Sequence, residues 1–505
     1  MALPVALTLR TVAPSYWFLI SSWLEDGQRG RVESELCSPR QPKRSYDLEI
    51  PSNRAFVTTQ TTWAKGGERP TGWMALPKFN VTLQRRPLVF TALVVFFFLY
   101  YYRPEDFIRV LAYIPMAKIT GGIALVALVV GITGGSKVRT PRAIKILWLL
   151  LVQMTLCIPF AIWRGGAFHT VIEKFSKGVV VSMLISMSVV TLWELRRLLW
   201  IQVSAVALVT FFSIALRHYG KGGRLAGIQE SILSNPNDLA INIAISFPLG
   251  LAFMLHSRGF KKFIWGSSLA VMGVGVVLTA SRSGLIALIL TIVVCVWEYG
   301  IKGKRRHLIV ATIVVSLVGF GVALSSSYYR ARVESIFLGN VEGSEDAGSR
   351  EARKELLIKS AITALTHPVF GVGPGCFPLI DGHWKVAHNA YSEIAAEAGF
   401  PALVLFLMAI WESFKLIARL RKSQQYREDP EFTVFTQALW AGLLAYVAGS
   451  FFASTEYNLY PYFVIGYTCA MVRITNQPNK EDSTRKVLSK ATYNSIFKPQ
   501  TTPAR

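Results

Sequence analysis

The chain has 505 residues, of which 52% are hydrophobic and 12% aromatic, and its formal net charge is +24. A mean hydropathy of +0.39, together with many separate apolar runs, excludes an ordinary soluble protein. The excess of basic residues would indicate nucleic-acid binding in a soluble protein. Here it falls in alternate loops between apolar runs, so no nucleic-acid partner is predicted. The five cysteines are scattered and show no metal-binding spacing.

The first 80 residues are polar and rich in Arg, Ser, Thr and Pro. Such a composition buries too little apolar surface to fold, which predicts a disordered cytoplasmic tail for residues 1–80. The four letters MALP at positions 1–4 recur at 74–77. Met74 is therefore an alternative natural start, in which case residues 1–73 follow from a mis-assigned start codon.

From Leu88 onward, apolar runs recur at lengths suited to crossing a bilayer, where about 20 residues are needed. They predict an all-α polytopic membrane protein of about twelve transmembrane helices over residues 85–475, followed by a cytoplasmic tail, 476–505. The predicted spans are approximately 87–102, 111–132, 143–163, 178–192, 198–216, 238–255, 262–280, 283–299, 307–325, 397–417, 434–452 and 457–473.

Clusters of Lys and Arg precede the first span and lie in the loops after spans two, four, six, eight and ten. By the positive-inside rule this side is the cytoplasm. The opposite side then carries the longest loop, 326–396, within which the stretch 349–368 has helical apolar spacing and ends at His367-Pro368. This loop is predicted to form a small helical cap over the outer membrane face.

Five basic side chains fall on that outer face near span ends: Arg217, Lys221, Arg224, Arg282 and His388. Fixed cations at a membrane face suit a lipid-linked diphosphate, because arginine can bind phosphate oxygens bidentately and keeps its charge. A neutral histidine beside them could accept a proton from an attacking hydroxyl. We therefore expect glycan transfer from a lipid diphosphate, with no metal and no cofactor.

The residues carry a family resemblance as well. Four motifs occur in order among the predicted spans: NPNDLA (235–240), TASRSG (279–284), GVGPGCF (371–377) and HNAYSEIAAEAGFPALVLF (388–406). The chain thereby resembles the O-antigen ligase and O-antigen polymerase superfamily over roughly residues 85–475. The resemblance implies a multi-pass protein of the bacterial inner membrane with its active site on the periplasmic face. It also implies metal-independent, inverting transfer from an undecaprenyl-diphosphate-linked glycan to lipid A-core or to another glycan.

The functional residues of ligases of this type match Arg224, Arg282 and His388 here, which are the predicted catalytic residues. Arg217 and Lys221 are predicted auxiliary contacts to the substrate.

Five further side chains have expected roles that follow from their place in the motifs. Asn389 and Tyr391 follow His388 and are predicted to contact substrate, although Tyr391 also suits the aromatic belt of a membrane interface. Asn237 or Asp238 is predicted to cap span six. Glu397 is expected to cap span ten or to orient His388.

Three alternatives stay open at the sequence level. A ligase and a polymerase share the donor chemistry and differ in the acceptor, so an O-antigen or exopolysaccharide polymerase is one alternative. Twelve spans also suit a secondary transporter, although such proteins place ionisable groups near the midplane. The third alternative is a non-catalytic component of polysaccharide export.

Overall fold

A computed structural model describes residues 87–104, 113–133, 140–220, 223–228, 233–303, 345–382 and 385–476. The predicted tail at 1–80, the segment 477–505, the predicted span 307–325 and Lys221 lie outside these residues. All the described residues belong to one unit of the chain, Met74–Arg505.

The described residues form helices and no β-strand beyond one isolated bridge. The long helices are α1 (Pro87–Tyr102), α2 (Met116–Thr133), α3 (Arg142–Cys157), α4 (Ser176–Ser188), α5 (Leu192–Ala215), α6 (Pro236–His256), α7 (Gly259–Leu278), α8 (Arg282–Cys295), α9 (Glu345–Thr366), α10 (Ala390–Leu420), α11 (Pro430–Ser450) and α12 (Tyr460–Thr475). Short helical turns extend α3 to Phe160, lead into α4 from Arg164, and extend α8 to Lys302.

Among these elements, seven helices are long and apolar enough to cross a membrane by length and composition. The all-α polytopic prediction is therefore confirmed. Every predicted span except 307–325 coincides with a described helix, and the total of twelve stays a prediction.

Helix α6 lies between α7, α8 and α11 and is largely buried. Small residues let the backbones approach, as is usual between membrane helices. At Gly284 of α8, an added Cβ would lie 2.1 Å from the Cβ of Ala240 on α6. Any larger residue would push α8 away from α6 and displace its first turn, which contains Arg282.

Helix α10 is two helical pieces joined at Gly399, whose φ of 80° and ψ of 171° are not helical. The N–H of Phe400 donates to the carbonyl of Pro368, 2.8 Å away, so the chain after α9 is tied to this kink. The upper piece, residues 390–398, is mostly buried in protein, whereas the lower piece exposes apolar side chains along one face. The predicted span at 397–417 corresponds to the lower piece.

Ion pairs gather at the end of the bundle where α5 and α11 begin and α8 ends. Arg196 lies 3.1 Å from Glu431, and Arg421 lies 3.1 Å from Glu298. These residues lie in or beside three of the loops predicted to be cytoplasmic. The predicted site residues that the structure describes lie at the other ends of the same helices.

Candidate functional site

The segment that follows α5 forms a small hairpin that positions Arg224. Tyr219 and Leu225 pair as an antiparallel bridge, and the N–H of Gly220 donates to the carbonyl of Arg224 at 2.9 Å. The N–H of Leu225 donates to the carbonyl of Leu278 at 2.9 Å, which attaches the returning arm to the end of α7. Arg224 is thus held beside the turn that joins α7 to α8.

The side chain of Arg224 is fixed by two hydrogen bonds at this turn. Its Nε donates to the carbonyl of Thr279 at 2.9 Å, and its Nη2 donates to Oδ1 of Asn237 at 2.8 Å. The hydroxyl of Ser281 donates to the same Oδ1, also at 2.8 Å. Arg282 follows directly as the first, half-buried residue of α8. The structure therefore brings Arg224 to the turn that carries Arg282.

Asn237 has a different role from the predicted cap of the sixth span. The cap of α6 is Asn235, whose side chain accepts from the N–H of Asn237 at 2.9 Å, and Pro236 takes the first helical position. Asp238 accepts instead from the side-chain amide of Asn458 at 3.1 Å. The prediction that Asn237 or Asp238 caps this helix is wrong, because Asn235 already satisfies the first turn. Asn237 is thereby free to orient Arg224.

His388 occupies a turn held by residues that the sequence analysis missed. Its N–H donates to the hydroxyl of Ser454 at 3.1 Å, and that hydroxyl donates to the carboxylate of Glu393. The N–H of Ala387 donates to the same carboxylate oxygen at 3.0 Å. A signal for Ser454 was present, because it belongs to the short polar stretch 453–458 between two apolar runs on the predicted outer side.

The environment of His388 keeps its imidazole neutral. Burial is the main cause that lowers the pKa of His388 to about 4, and the positive charges of Arg353, Arg224 and Lys385 lower it further. Arg224 is thus close enough to act electrostatically on His388. Arg353 and Lys385 were not among the predicted site residues, although both lie in the long loop 326–396 that was expected to cover this face.

Asn389 and Tyr391 both make hydrogen bonds within the protein. Asn389 caps α10 by accepting from the N–H groups of Tyr391 and Ser392, each at 3.0 Å, and its amide donates to the carbonyl of Phe451 at 3.1 Å. The hydroxyl of Tyr391 donates to the carbonyl of Val447 at 2.9 Å. These bonds fix the turn that carries His388 against the end of α11.

Arg217 lies apart from this hydrogen-bonded group, just beyond the end of α5. Its side chain is exposed, and its backbone has a φ of 50°. Lys221 lies outside the described residues.

Left-handed backbone occurs in three of the segments that carry predicted site residues. Among the described residues, Arg217, Ala280 and His388 have φ values of 50°, 47° and 57°, and Arg103 is the one other non-glycine residue with a positive φ. Such conformations cost free energy and persist where the surrounding structure fixes them, often at functional sites.

The glycine-rich loop 371–375 packs against the upper piece of α10. Gly371 has a φ of 61°, and a Cβ there would lie 2.2 Å from the carbonyl carbon of Glu397. The carboxylate of Glu397 accepts from the N–H groups of Gly375 at 2.7 Å and Phe377 at 3.0 Å. The close approach that these glycines allow is therefore to the protein itself. Glu397 orders this loop, rather than serving as the cap of α10, which is Asn389.

Among the described residues, three carboxyl groups lie close enough together to hold a cation. Oxygens of Glu393, Glu397 and Glu456 all lie within 4.8 Å of one another, and the three residues are buried. Glu393 and Glu397 already accept hydrogen bonds from Ser454, Tyr457 and backbone N–H groups. Their contacts are those of acceptors that hold the 371–377 and 387–389 segments in place.

A known protein family matches part of the chain. Residues 267–407 match the family described as O-antigen ligase, a segment that includes Arg282, the glycine-rich loop and His388. No curated protein matches the chain. This match confirms the predicted resemblance to the O-antigen ligase and O-antigen polymerase superfamily over residues 267–407.

Proposed function

We propose that this protein is a glycosyltransferase of the bacterial inner membrane. In this proposal it moves a glycan from an undecaprenyl-diphosphate donor to an acceptor hydroxyl on the periplasmic face. The acceptor is the lipid A-core in a ligase and a second glycan in a polymerase. The ligase is the first choice, because the basic site, the His-Asn motif at 388–389 and the position of the long loop resemble those of ligases more than those of polymerases.

The observation that carries the proposal is the placement of Arg224. Its guanidinium is held by Thr279 and Asn237 beside the turn that contains Arg282, and its charge lowers the pKa of His388. Two arginines and one neutral histidine are the minimal set for displacing a diphosphate by a hydroxyl.

The reaction follows from the roles of these three side chains. His388 accepts the proton of the acceptor hydroxyl, whose oxygen then forms a bond to the anomeric carbon of the donor sugar. The bond from that carbon to the diphosphate oxygen breaks, and undecaprenyl diphosphate leaves with the electron pair. Arg224 and Arg282 bind the diphosphate and stabilise the negative charge that develops on it. A direct displacement inverts the anomeric carbon.

Binding of the donor also adjusts the pKa of His388, the proposed general base. Without substrate, burial chiefly, and the nearby cations in addition, disfavour the protonated form of His388. A diphosphate bound at Arg224 and Arg282 cancels part of that positive charge and raises the pKa of His388 towards the neutral range, where a general base works best. The arginines supply the positive charge that a metal ion would otherwise supply, so transfer is proposed to need no divalent cation at the diphosphate.

The remaining predicted contacts have secondary roles in the proposal. Arg217, which is exposed, and Lys221 are proposed as auxiliary contacts to the substrate. Asn389 and Tyr391 act by fixing the turn of His388, and the ring of Tyr391 remains a predicted contact to sugar.

A reconstitution distinguishes ligase from polymerase. Purified protein in liposomes is given an undecaprenyl-diphosphate oligosaccharide in the presence of EDTA, with and without lipid A-core, and the products are separated on a gel. A single shifted band that requires lipid A-core supports the ligase. A ladder without lipid A-core supports the polymerase.

The same experiment tests the two alternatives that are not glycosyltransferases, the transporter and the non-catalytic component of polysaccharide export. A transporter moves the donor between leaflets without changing its chemistry, and an assembly component leaves it unchanged. Recovery of intact donor in both lanes, from protein that is folded in the liposomes, would overturn the glycosyltransferase proposal.

A further inference from the structure

Helix α9 presents two different faces to its surroundings. One face packs on the upper piece of α10 through Leu356, Ser360 and Ala364, and the hydroxyl of Ser360 donates to that of Ser392 at 2.9 Å. The other face is exposed over residues 351–366. Its composition changes from one end of the helix to the other.

The exposed face is charged in the first half of α9 and apolar in the second. Glu351, Lys354 and Glu355 are exposed in the first half. Beyond them, Ile358, Ile362 and Leu365 are 50%, 55% and 70% exposed at helical spacing. Large aliphatic side chains in such a row are costly to leave in water.

This apolar stripe continues directly into the lipid-facing surface of the bundle. Val369, 51% exposed, follows the stripe, and its carbonyl accepts from the side chain of Gln153 on α3 at 2.9 Å. The next residue, Phe370, stacks on Phe160 with ring centroids 4.3 Å apart.

Below this junction, the membrane-spanning helices are themselves exposed and apolar. On α3, Leu149, Val152, Leu156 and Phe160 are exposed on one side. On the lower piece of α10, Val404, Leu407 and Trp411 are exposed. Because these helices are long and apolar enough to span a bilayer, we expect such side chains to face lipid.

We infer that the second half of α9 lies in the outer boundary of the bilayer, with Ile358, Ile362 and Leu365 in contact with the acyl chains of bilayer lipids. The first half extends into water, and Lys354 and Lys359 lie near the level of the lipid headgroups. The helix is then in contact with the membrane, as part of the helical cap that the sequence predicts over this face. This inference does not depend on the proposed enzymatic activity.

Site-directed spin labelling tests the inference directly. The five cysteines are replaced, and single cysteines are introduced at Ile362, Leu365, Lys354 and, as a lipid-facing reference, Val404. Each labelled protein is placed in liposomes without the polyprenyl donor, so that the bilayer is the only source of lipid. Its accessibility to oxygen, which concentrates in lipid, and to a water-soluble nickel chelate is then measured.

We expect labels at Ile362 and Leu365 to match the label at Val404, with oxygen access well above nickel access, and the label at Lys354 to show the reverse. Nickel access at Ile362 and Leu365 equal to that at Lys354 would overturn the inference, because α9 would then stand in water. Protection from both reagents would also overturn it, because the stripe would then be covered by protein. Size-exclusion profiles of the labelled variants control for unfolding.

Discussion

Arg224 and Ser281 donate hydrogen bonds to the same atom, Oδ1 of Asn237, each at 2.8 Å. Through this shared acceptor, the start of α6, the hairpin after α5 and the turn before α8 are fixed to one another. Arg224 and Arg282, the two residues predicted to bind the diphosphate, are therefore positioned by a neutral amide. It accepts from Arg224 directly and acts on Arg282 through the preceding residue, Ser281. Four predictions follow this relationship outward from Arg224 to His388 and to the backbone that holds it.

Removing the amide of Asn237 should impair transfer more than it impairs folding. Asn237→Ala leaves the guanidinium of Arg224 without its side-chain acceptor, and a hydrogen bond to a charged group contributes about 1.5–3 kcal/mol. We expect kcat/KM for the donor to fall about ten- to a hundredfold. The matched control is Asn235→Ala, which removes the α6 cap, costs about 1 kcal/mol of stability and leaves transfer nearly unchanged. Equal activities for the two variants would contradict this role.

Arg224 should not be replaceable by lysine. A lysine ammonium cannot donate to Thr279 and Asn237 while also presenting a planar fork to phosphate oxygens. We expect Arg224→Lys to lose most of its transfer activity, whereas Arg217→Lys, at an exposed position, retains it. Initial rates in liposomes at saturating acceptor measure both. Full activity of Arg224→Lys would show that only the charge at this position matters.

The pH dependence of kcat/KM for transfer should show that His388 is neutral in the absence of substrate. Because the pKa of His388 is lowered to about 4, the free protein holds the base in its active, unprotonated form throughout the range above about pH 5. We expect kcat/KM to decline only as the pH approaches 4. The acid limb of kcat should lie at higher pH, since the bound diphosphate raises the same pKa.

Arg353 provides the control for this pH profile. Arg353→Ala removes one of the charges that lower the pKa of His388, so the acid limb of kcat/KM should move to higher pH. An acid limb of kcat/KM near pH 6.5 in the wild-type protein would show that the surroundings of His388 do not lower its pKa.

Position 399, at the kink in α10, should not tolerate any side chain. At Gly399, the positive φ costs alanine about 1 kcal/mol, and a Cβ would lie 2.3 Å from the carbonyl oxygen of Val369. We expect Gly399→Ala to lower the melting temperature of the purified protein clearly. Gly273→Ala is the control, since nothing lies within 4 Å of the added Cβ on helix α7 and the change should be neutral or stabilising. Similar melting temperatures for the two variants would argue against the kink.

Much of the fold could be predicted from composition and spacing. Apolar runs of bilayer length identify membrane helices because lipid leaves the backbone few other structures. The end of α9 at Thr366 follows from the proline at 368, which disfavours helix in the residue before it. The glycine at 399 and the proline at 401 favour a break of the helix there. The contact of this break with Pro368 and Val369 could not be predicted, because the sequence does not place those residues nearby.

The candidate site, like the fold, could be predicted only in part. Arg224, Arg282 and His388 stand out because charged residues at span ends are few and the motifs are recognisable. Asn237 and Ser454 do not stand out, since asparagine and serine are common at helix ends and in loops. Their importance depends on which atoms face them in the folded chain, such as the guanidinium of Arg224 and the N–H of His388.

The central claim is that Arg224 and Arg282 hold the diphosphate of a lipid-linked glycan. The most direct measurement is transfer by Arg282→Ala in liposomes supplied with an undecaprenyl-diphosphate oligosaccharide and acceptor. The matched control is Arg258→Ala, at the exposed start of α7 on the opposite end of the bundle. The account predicts a loss of at least about a hundredfold for Arg282→Ala and unchanged transfer for Arg258→Ala, with both proteins inserted and folded. Normal transfer by Arg282→Ala would contradict it.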